Sequence, residues 1–558
     1  MGKGRMGNWA DRGGRAVATA RRVAMQAARQ AVERTEPIRA SALRSAERAW
    51  REYGRPYGAR YGRRYAYAPT RWVVGVAAGS GLVLAVVSIA AAGPWQGGQR
   101  VSERALATGR PVAAAHPGGR PSAPKPAGPA WHDAADVLAP AGGSGTLPTA
   151  SGLGGALAGP MGVPVLGHVT ASVVDVSDGR TLYSSGADQA QEPASTNKIA
   201  TATAALSLLG PDHRFTTEVV GDAATGLTLV GGGDPTLTAS SGHDSLTALA
   251  AATAAALRAA QASPSAATGT SAKASTTASP SGGGHQRIQL HYDISLFSEP
   301  ALHPIGVNGN IALVQALTAD EGRLDPTSTE DAPRYSDPAA HAADVFAAAL
   351  AADGVDVDTS PSQATAPANA TQLAQVQSGP LSDIVERMLT NSDNDIAETL
   401  GHAVALASGK SATFTNAGAA VTARLAGLGI QLGSTHLADS SGLSPADGIP
   451  AAVLTQLLVL DASPAHPELR SVVSGLPIAG FTGTLDNRYG GDGSEAGLGI
   501  VRAKTGSLTS VNTLAGLVVD RSGRLLAFAF MSKGDGGQDA VRAALDVLAS
   551  RLATCGCG

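Results

Sequence analysis

The 558 residues carry 42 Lys/Arg against 45 Asp/Glu, a formal net charge of −3, with 4% aromatic residues and only two cysteines. The length exceeds one ordinary domain, and two cysteines without nearby histidines exclude both a disulfide-stapled scaffold and a cysteine-ligated zinc fold. The near balance of charge conceals an asymmetry, because residues 1–71 hold 17 Lys/Arg against 5 Asp/Glu and leave the remainder acidic.

A basic arm of this kind suits nucleic acid or an anionic membrane surface, and the next segment points to the membrane. From Trp72 to Ala92 the sequence WVVGVAAGSGLVLAVVSIAAA has no charge. That length matches the roughly 20 residues needed to cross a bilayer. Trp72 and Trp95 bracket the run, and the Lys/Arg excess lies on its N-terminal side. The positive-inside rule then makes residues 1–71 a cytoplasmic tail, 72–94 a transmembrane helix and the rest extracytoplasmic. The alternative is a body secreted after cleavage near Ala92, where Ala90-Ala91-Ala92 resembles a small-residue cleavage site.

Residues 95–158 are rich in Pro, Gly and Ala without apolar periodicity and read as a flexible linker. Order is expected from about Met161. His168 to Tyr183 reads as two strands around an Asp178-Gly179 turn. A helical pattern runs from Ser195 to Leu209 and stops at Gly210. Thr216 to Leu237 reads as short strands and turns, and His243 to Gln261 as a helix. Residues 262–286 are low-complexity and read as a disordered loop. A strand at Arg287–Tyr292 follows, then helical patterns at Ile311–Leu317, Pro338–Ala352, Leu381–Met388, Asp395–Ala407 and Ala417–Leu428. Strands at Thr513–Val519 and Arg524–Met531 pair across a turn, and Gln538–Leu552 closes as an amphipathic helix. Early and late strands can join one antiparallel sheet, with the last helix against the first strand pair. This order predicts an α+β fold: a catalytic domain from 159–214 and 372–555, interrupted by an inserted α/β region at 215–371. Cys555 and Cys557, one residue apart, read as part of a disordered tail, a mutual disulfide there being strained.

Three short motifs carry the chemistry. Ser195-Thr196-Asn197-Lys198 places a lysine at i+3 from a serine, on one helix face. A serine needs a base to become a nucleophile, and lysine serves only if burial or a neighbouring cation lowers its pKa. Lys504 can supply that neighbouring charge. Ser392-Asp393-Asn394 offers a proton-relaying hydroxyl and an amide to orient Lys198 and substrate, or simply a helix cap. Lys504-Thr505-Gly506-Ser507 places a fixed charge and two hydroxyls on a strand, with Gly506 allowing close backbone approach. The N–H groups of Ser195 and Ser507 can form an oxyanion hole. No histidine pair shows metal-ligand spacing, so neither metal nor cofactor is expected.

In combination these residues resemble the active-site serine penicillin-recognising enzymes, whose signature is this trio. Three further segments narrow the resemblance: Gly231-Gly232-Gly233-Asp234-Pro235, DSSGLS at Asp439–Ser444, and the SGLPIAG run at Ser474–Gly480 with Gly483-Thr484-Leu485. They are similar to segments of the dacB-type D-alanyl-D-alanine carboxypeptidases and DD-endopeptidases, the class C low-molecular-mass penicillin-binding proteins. The resemblance spans about residues 160–550. It implies a penicillin-binding, β-lactamase-like domain acting on peptidoglycan stem peptides and acylated by β-lactams. It assigns Ser195 as nucleophile, Lys198 as base, Ser392 as relay and Asn394 as positioning amide, with Lys504 and Thr505 holding the substrate carboxylate. The interval of 197 from Ser195 to Ser392 is shorter than such proteins usually carry there. A β-lactamase-like hydrolase needs a carboxylate to activate water, and neither Glu386 nor Glu398 sits in a pattern that assigns that task. A non-catalytic wall-binding protein is the other alternative. No nucleic-acid partner is expected.

Overall fold

The structure, a computed structural model, describes residues 145–262, 287–328, 331–491 and 493–557. The basic tail, the apolar run, most of the linker and most of the low-complexity loop lie outside the described residues.

In chain order the elements are α1 (Ala150–Met161), β1 (His168–Asp175), β2 (Thr181–Ser185), β3 (Ala190–Gln191), α2 (Asn197–Leu209), β4 (Thr216–Asp222), β5 (Gly226–Val230), α3 (Leu246–Ala262) and β6 (Leu290–Asp293). Then come α4 (Pro338–Ala352), β7 (Ser362–Gln363), β8 (Gln372–Gln377), α5 (Leu381–Asn391), α6 (Asn394–Ala407) and α7 (Phe414–Gly427). The chain ends with β9 (Ile449–Pro450), α8 (Ala451–Asp461), α9 (Arg470–Gly475), β10 (Arg502–Leu508), β11 (Val511–Val519), β12 (Leu525–Lys533) and α10 (Gln538–Thr554).

The first and last strands do join. The order β10-β11-β12-β1-β2 makes one antiparallel sheet, with His168 opposite Lys533 and Arg502 opposite Leu517. β11 is buried on both faces almost throughout, because alternate residues meet different layers. Ala515 and Leu517 face a core built on α2, α5, α6, α7 and α8. Leu514 and Val518 face a second core with α1 and α10. α2 is buried along nearly its whole length, so the nucleophile motif sits on a central, immobilised element.

Several expectations are revised. Residues 150–158 are not linker but part of α1, which is capped by the Thr149 side chain and whose Leu153 and Leu157, one turn apart, are buried against α10. α10 lies over β11 and β12 rather than over β1 and β2, while α1 covers β2. Cys555 and Cys557 are joined by a disulfide with Cα atoms 5.1 Å apart, inside the range a bridge tolerates. The Cys557 carbonyl accepts the Thr149 N–H at 2.8 Å, so this end of the chain is pinned to the start of α1 rather than disordered.

The inserted region has its own mixed sheet, ordered β7-β6-β5-β4-β8, with α3 and α4 over it. β8 pairs with β4, so the insertion extends to Gln377 rather than ending at 371. Ile311–Leu317 is irregular, not helical. Its backbone is used in tertiary bonds: Ala312 N–H to Asp395 Oδ1 at 2.8 Å, Val314 N–H to the Ala301 carbonyl, and the Ala316 carbonyl to Gly233 N–H. Gly231–Gly233 is thus where the first strands of the insertion meet its return segment.

Candidate active site

Ser195 lies in a 3-10 turn, Ala194–Thr196, that runs straight into α2. Ala194 has φ +46°, an unusual left-handed conformation for a residue with a Cβ. The turn is held through the Pro193 carbonyl, which accepts the hydroxyls of Thr196 at 2.6 Å and Thr513 at 2.8 Å. β10 crosses close behind it. A Cβ on Gly506 would stand 2.8 Å from the Pro193 carbonyl oxygen and 3.0 Å from Ala194 Cβ. Only glycine lets the strand come this near without displacing the serine.

Lys198 is fully buried. Its Nζ lies 3.0 Å from Ser195 Oγ, 2.7 Å from Asn394 Oδ1 and 2.8 Å from the Ser441 carbonyl oxygen. Asn394 cannot present its nitrogen there, because Nδ2 donates to the Asn310 carbonyl at 3.0 Å. Two of the three neighbours are therefore pure acceptors. A neutral amine has two N–H groups and one lone pair, which matches two acceptors and one hydroxyl. Burial pushes Lys198 down to about 8, against the opposing pull of the Asp439, Glu398, Asp393 and Asp395 carboxylates. The expected driving force, repulsion from Lys504, is not among the causes: burial lowers Lys198, and the repulsion between the two lysines lowers Lys504 instead.

The Ser441 carbonyl belongs to the DSSGLS turn, whose place in the site no side-chain pattern announces. α2 grips three successive carbonyls of this turn: Asn197 Nδ2 donates to Asp439, Thr201 Oγ1 to Ser440 and Lys198 Nζ to Ser441. Glu398, one helical turn beyond Asn394, accepts the N–H groups of Ser440 and Ser441. Asp439 accepts those of Gly442 and Ser444 at 2.6 Å each, and His303 Nε2 lies 3.2 Å from its Oδ2. Burial works against the Asp439 carboxylate, yet His303 and these donors hold it below the ordinary range. Burial and the Asp439 charge push Glu398 up to about 7. Sequence reasoning missed His303, which the insertion delivers, and left Glu398 without a task. Glu398 is fully buried and its oxygens are occupied, so it is not placed to activate water.

The second motif is clamped from the insertion. Asp393 caps α6 through the Ile396 N–H and pairs with Arg323 at 3.2 Å. Asp395 pairs with Arg334 at 2.8 Å. Glu321 pairs with Arg323 and Arg387. Two buried carboxylate clusters, Glu321–Asp393–Asp395 and His303–Glu398–Asp439, have ligand-like spacing. Arginines saturate the first, and backbone N–H groups and His303 the second. Ser392 caps α5 in a left-handed conformation, φ +61°, and faces the cleft. Among the described residues its hydroxyl makes no hydrogen bond, so the structure does not bring it onto Lys198.

On β10, alternation puts Thr505 and Ser507 on the cleft face. Thr505 Oγ1 donates to Thr484 Oγ1 at 2.8 Å, and Ser507 Oγ to Asn512 Oδ1 at 3.0 Å. Lys504 shares the opposite face with Gly506, the face that packs on the serine turn, and is fully buried, with Nζ donating to its own neighbour's carbonyl, Thr505 O, at 2.9 Å. Burial, reinforced by the Lys198 charge, holds it well below the ordinary lysine range. Unlike Thr505 and Ser507, it is not among the residues that line the cleft.

Ser195, Ser392, Asn394, Thr505 and Ser507 line one cleft of about 920 Å³, a volume suited to a peptide segment. The chain is 36% identical over 506 residues to a protein named carboxypeptidase DacB from Mycolicibacterium smegmatis, covering 88% of this chain and 99% of that one. It is 30% identical over 448 residues to a D-alanyl-D-alanine carboxypeptidase from an Actinomadura species, covering 68% and 80%. Penicillin binding protein 4 (dacB) of Haemophilus influenzae shares its fold, with a TM-score of 0.56 and 21% identity over 72% of this chain and 98% of that one. A family model described as the D-Ala-D-Ala carboxypeptidase 3 (S13) family matches residues 155–333 and 321–553, and the chain belongs to that family.

Proposed function

We propose that the protein is a membrane-anchored, extracytoplasmic serine DD-peptidase that cleaves D-Ala-D-Ala-type bonds of peptidoglycan stem peptides and is acylated by β-lactams. The observation that carries this reading is the Lys198 amine, buried and held between Ser195 Oγ and two acceptors. In the neutral form it takes the Ser195 proton as Oγ attacks the carbonyl of the penultimate D-Ala. Oxygen charge in the tetrahedral intermediate is met by the N–H groups of Ser195 and Ser507. The proton passes to the leaving D-Ala amine, with the Ser392 hydroxyl as relay, and the C–N bond breaks to leave an ester on Ser195. Water, or the amine of a second stem peptide, then releases the acyl group. A β-lactam follows the first half of this course but keeps its leaving amine tethered, which obstructs the second. Haemophilus penicillin binding protein 4, which has this fold, is also known in complex with a novel β-lactam. The basic segment before Trp72 and the apolar run after it support the anchor and its orientation.

The test is intact mass. Full-length protein in detergent, mixed with benzylpenicillin, is expected to gain one drug molecule on Ser195 and to lose it slowly. Ser195→Ala is expected to abolish both the adduct and D-Ala release from a stem peptide. An adduct on another residue, or rapid turnover to hydrolysed drug, overturns the reading.

A further inference from the structure

A peptide substrate for this cleft ends in a carboxylate, and a β-lactam carries one in the same relation to its reactive carbonyl. The motif lysine does not meet it. Lys504 is fully buried beneath the cleft, on the face of β10 that packs on the serine turn, and spends a donor on Thr505 O. Ser507 has its hydroxyl hydrogen committed to Asn512. A different cation stands on the cleft side. Arg542, in the first turns of α10, lines the cleft with Ser195, Thr505 and Ser507. Its Nη2 and Nε lie 3.2 and 3.4 Å from Ser507 Oγ. Among the described residues its one ion pair is with Asp539, at 3.8 Å and itself fully exposed, a pairing of little strength. Asp546, the next acid along the helix, is taken by Arg488 through Nε at 3.0 Å and Nη2 at 2.6 Å. Arg488 also donates to the Arg542 carbonyl at 3.0 Å, which fixes that stretch of the helix.

We propose that Arg542 is the substrate-binding cation of this site, receiving the C-terminal carboxylate of the stem peptide, and the carboxylate of a β-lactam, beside Thr505 and Ser507. A guanidinium has five donors in a planar fork, and Arg542 directs two of them at Ser507. The remainder, on a side chain 38% exposed, can grip a carboxylate in the two-point geometry that lysine cannot match. Its charge also survives beside other cations, which a buried ammonium does not ensure. Recognition of the free C-terminus is then divided: β10 supplies hydroxyls and the last helix supplies charge. This assignment rests on the acyl-enzyme reading above.

The experiment compares two acyl donors that differ in one group, benzylpenicillin and its methyl ester, on the full-length protein. Arg542→Ala and Arg542→Gln are expected to slow acylation by the free acid by about 10–100-fold, the range for a lost hydrogen bond to a charged group. Acylation by the ester is expected to change less than about twofold on the same reasoning. Gln can still bond Ser507, so it separates charge from local packing, and Arg542→Lys should recover part of the loss. Equal slowing with both donors, or none with either, overturns the assignment while leaving the acyl-enzyme intact. If the wild-type protein is acylated by neither donor, the proposed function fails and Arg542 falls with it.

Discussion

Lys198 is a base only while it is neutral, and its surroundings set the pH at which that holds. With burial lowering it to about 8, roughly a tenth of the molecules carry the free amine at pH 7 and about nine-tenths at pH 9. The sign follows: deprotonation activates the serine, so acylation by a β-lactam should rise by about tenfold from pH 7 to a plateau above pH 9. Lys198→Arg retains the charge but cannot give up its proton. It should reduce acylation by at least about 100-fold at every pH while thermal unfolding stays near wild type. A flat pH profile in the wild type, or near-normal acylation in the arginine variant, would remove Lys198 from proton transfer. The four carboxylates that oppose this shift form the shell around Asn394 and the DSSGLS turn. They keep the amine from losing its proton more readily still, so the value reflects a balance between burial and negative charge.

At the scale of elements, the site is a junction of α2, the start of α6, the Asp439–Ser444 turn and β10. Gly442 is a point of very close approach in that junction. Its φ is +84°, and a Cβ there would stand 1.9 Å from the Ala194 carbonyl oxygen, directly behind Ser195. Gly442→Ala should therefore destabilise the protein by at least about 2 kcal/mol, from the left-handed backbone plus the clash. It should also cut acylation more than about tenfold by pushing the serine turn, read by calorimetry and by mass-detected acylation. A variant equal to wild type in both would show that the turn has room to move. This junction marks the boundary of what the sequence reveals. The i, i+3 spacing of Ser195 and Lys198, the capping glycine at 210 and the alternation of Thr505 and Ser507 are local patterns, and they hold in the structure. The Ser441 carbonyl is backbone and has no side-chain signal, and His303 lies 136 residues before Asp439, the residue of the turn that it supports. α8 escaped notice because Val459 and Leu460 extend the apolar face of Val453, Leu454, Leu457 and Leu458 around most of the helix and erase its periodicity. Ile311–Leu317 shows the reverse, an apolar spacing that suits a helix but whose backbone bonds go to Asp395, Ala301 and Gly233 instead.

For the whole molecule, the proposed chemistry requires the body to meet peptidoglycan, which lies outside the membrane. Among the described residues no helix is long and apolar enough to cross a bilayer, so the case for an anchor rests on Trp72–Ala92 and the charge before it. The run is long enough to span, and its flanking charge is one-sided: Arg60, Arg63, Arg64 and Arg71 precede it, and the next basic residue after it is Arg100. Moving 17 Lys/Arg across a membrane is the disfavoured direction, and the proposed topology accordingly has residues 1–71 inward and the catalytic body outward. A cleaved leader would share that orientation and differ only in what remains attached. Two measurements separate these outcomes. Protease added to intact protoplasts should digest the body and spare a tag placed before residue 71. The body recovered from membranes should also retain its N-terminal peptides by mass spectrometry. A soluble body beginning just after Ala92 would establish cleavage, and a protected body with a digested N-terminal tag would invert the topology and exclude peptidoglycan as the substrate.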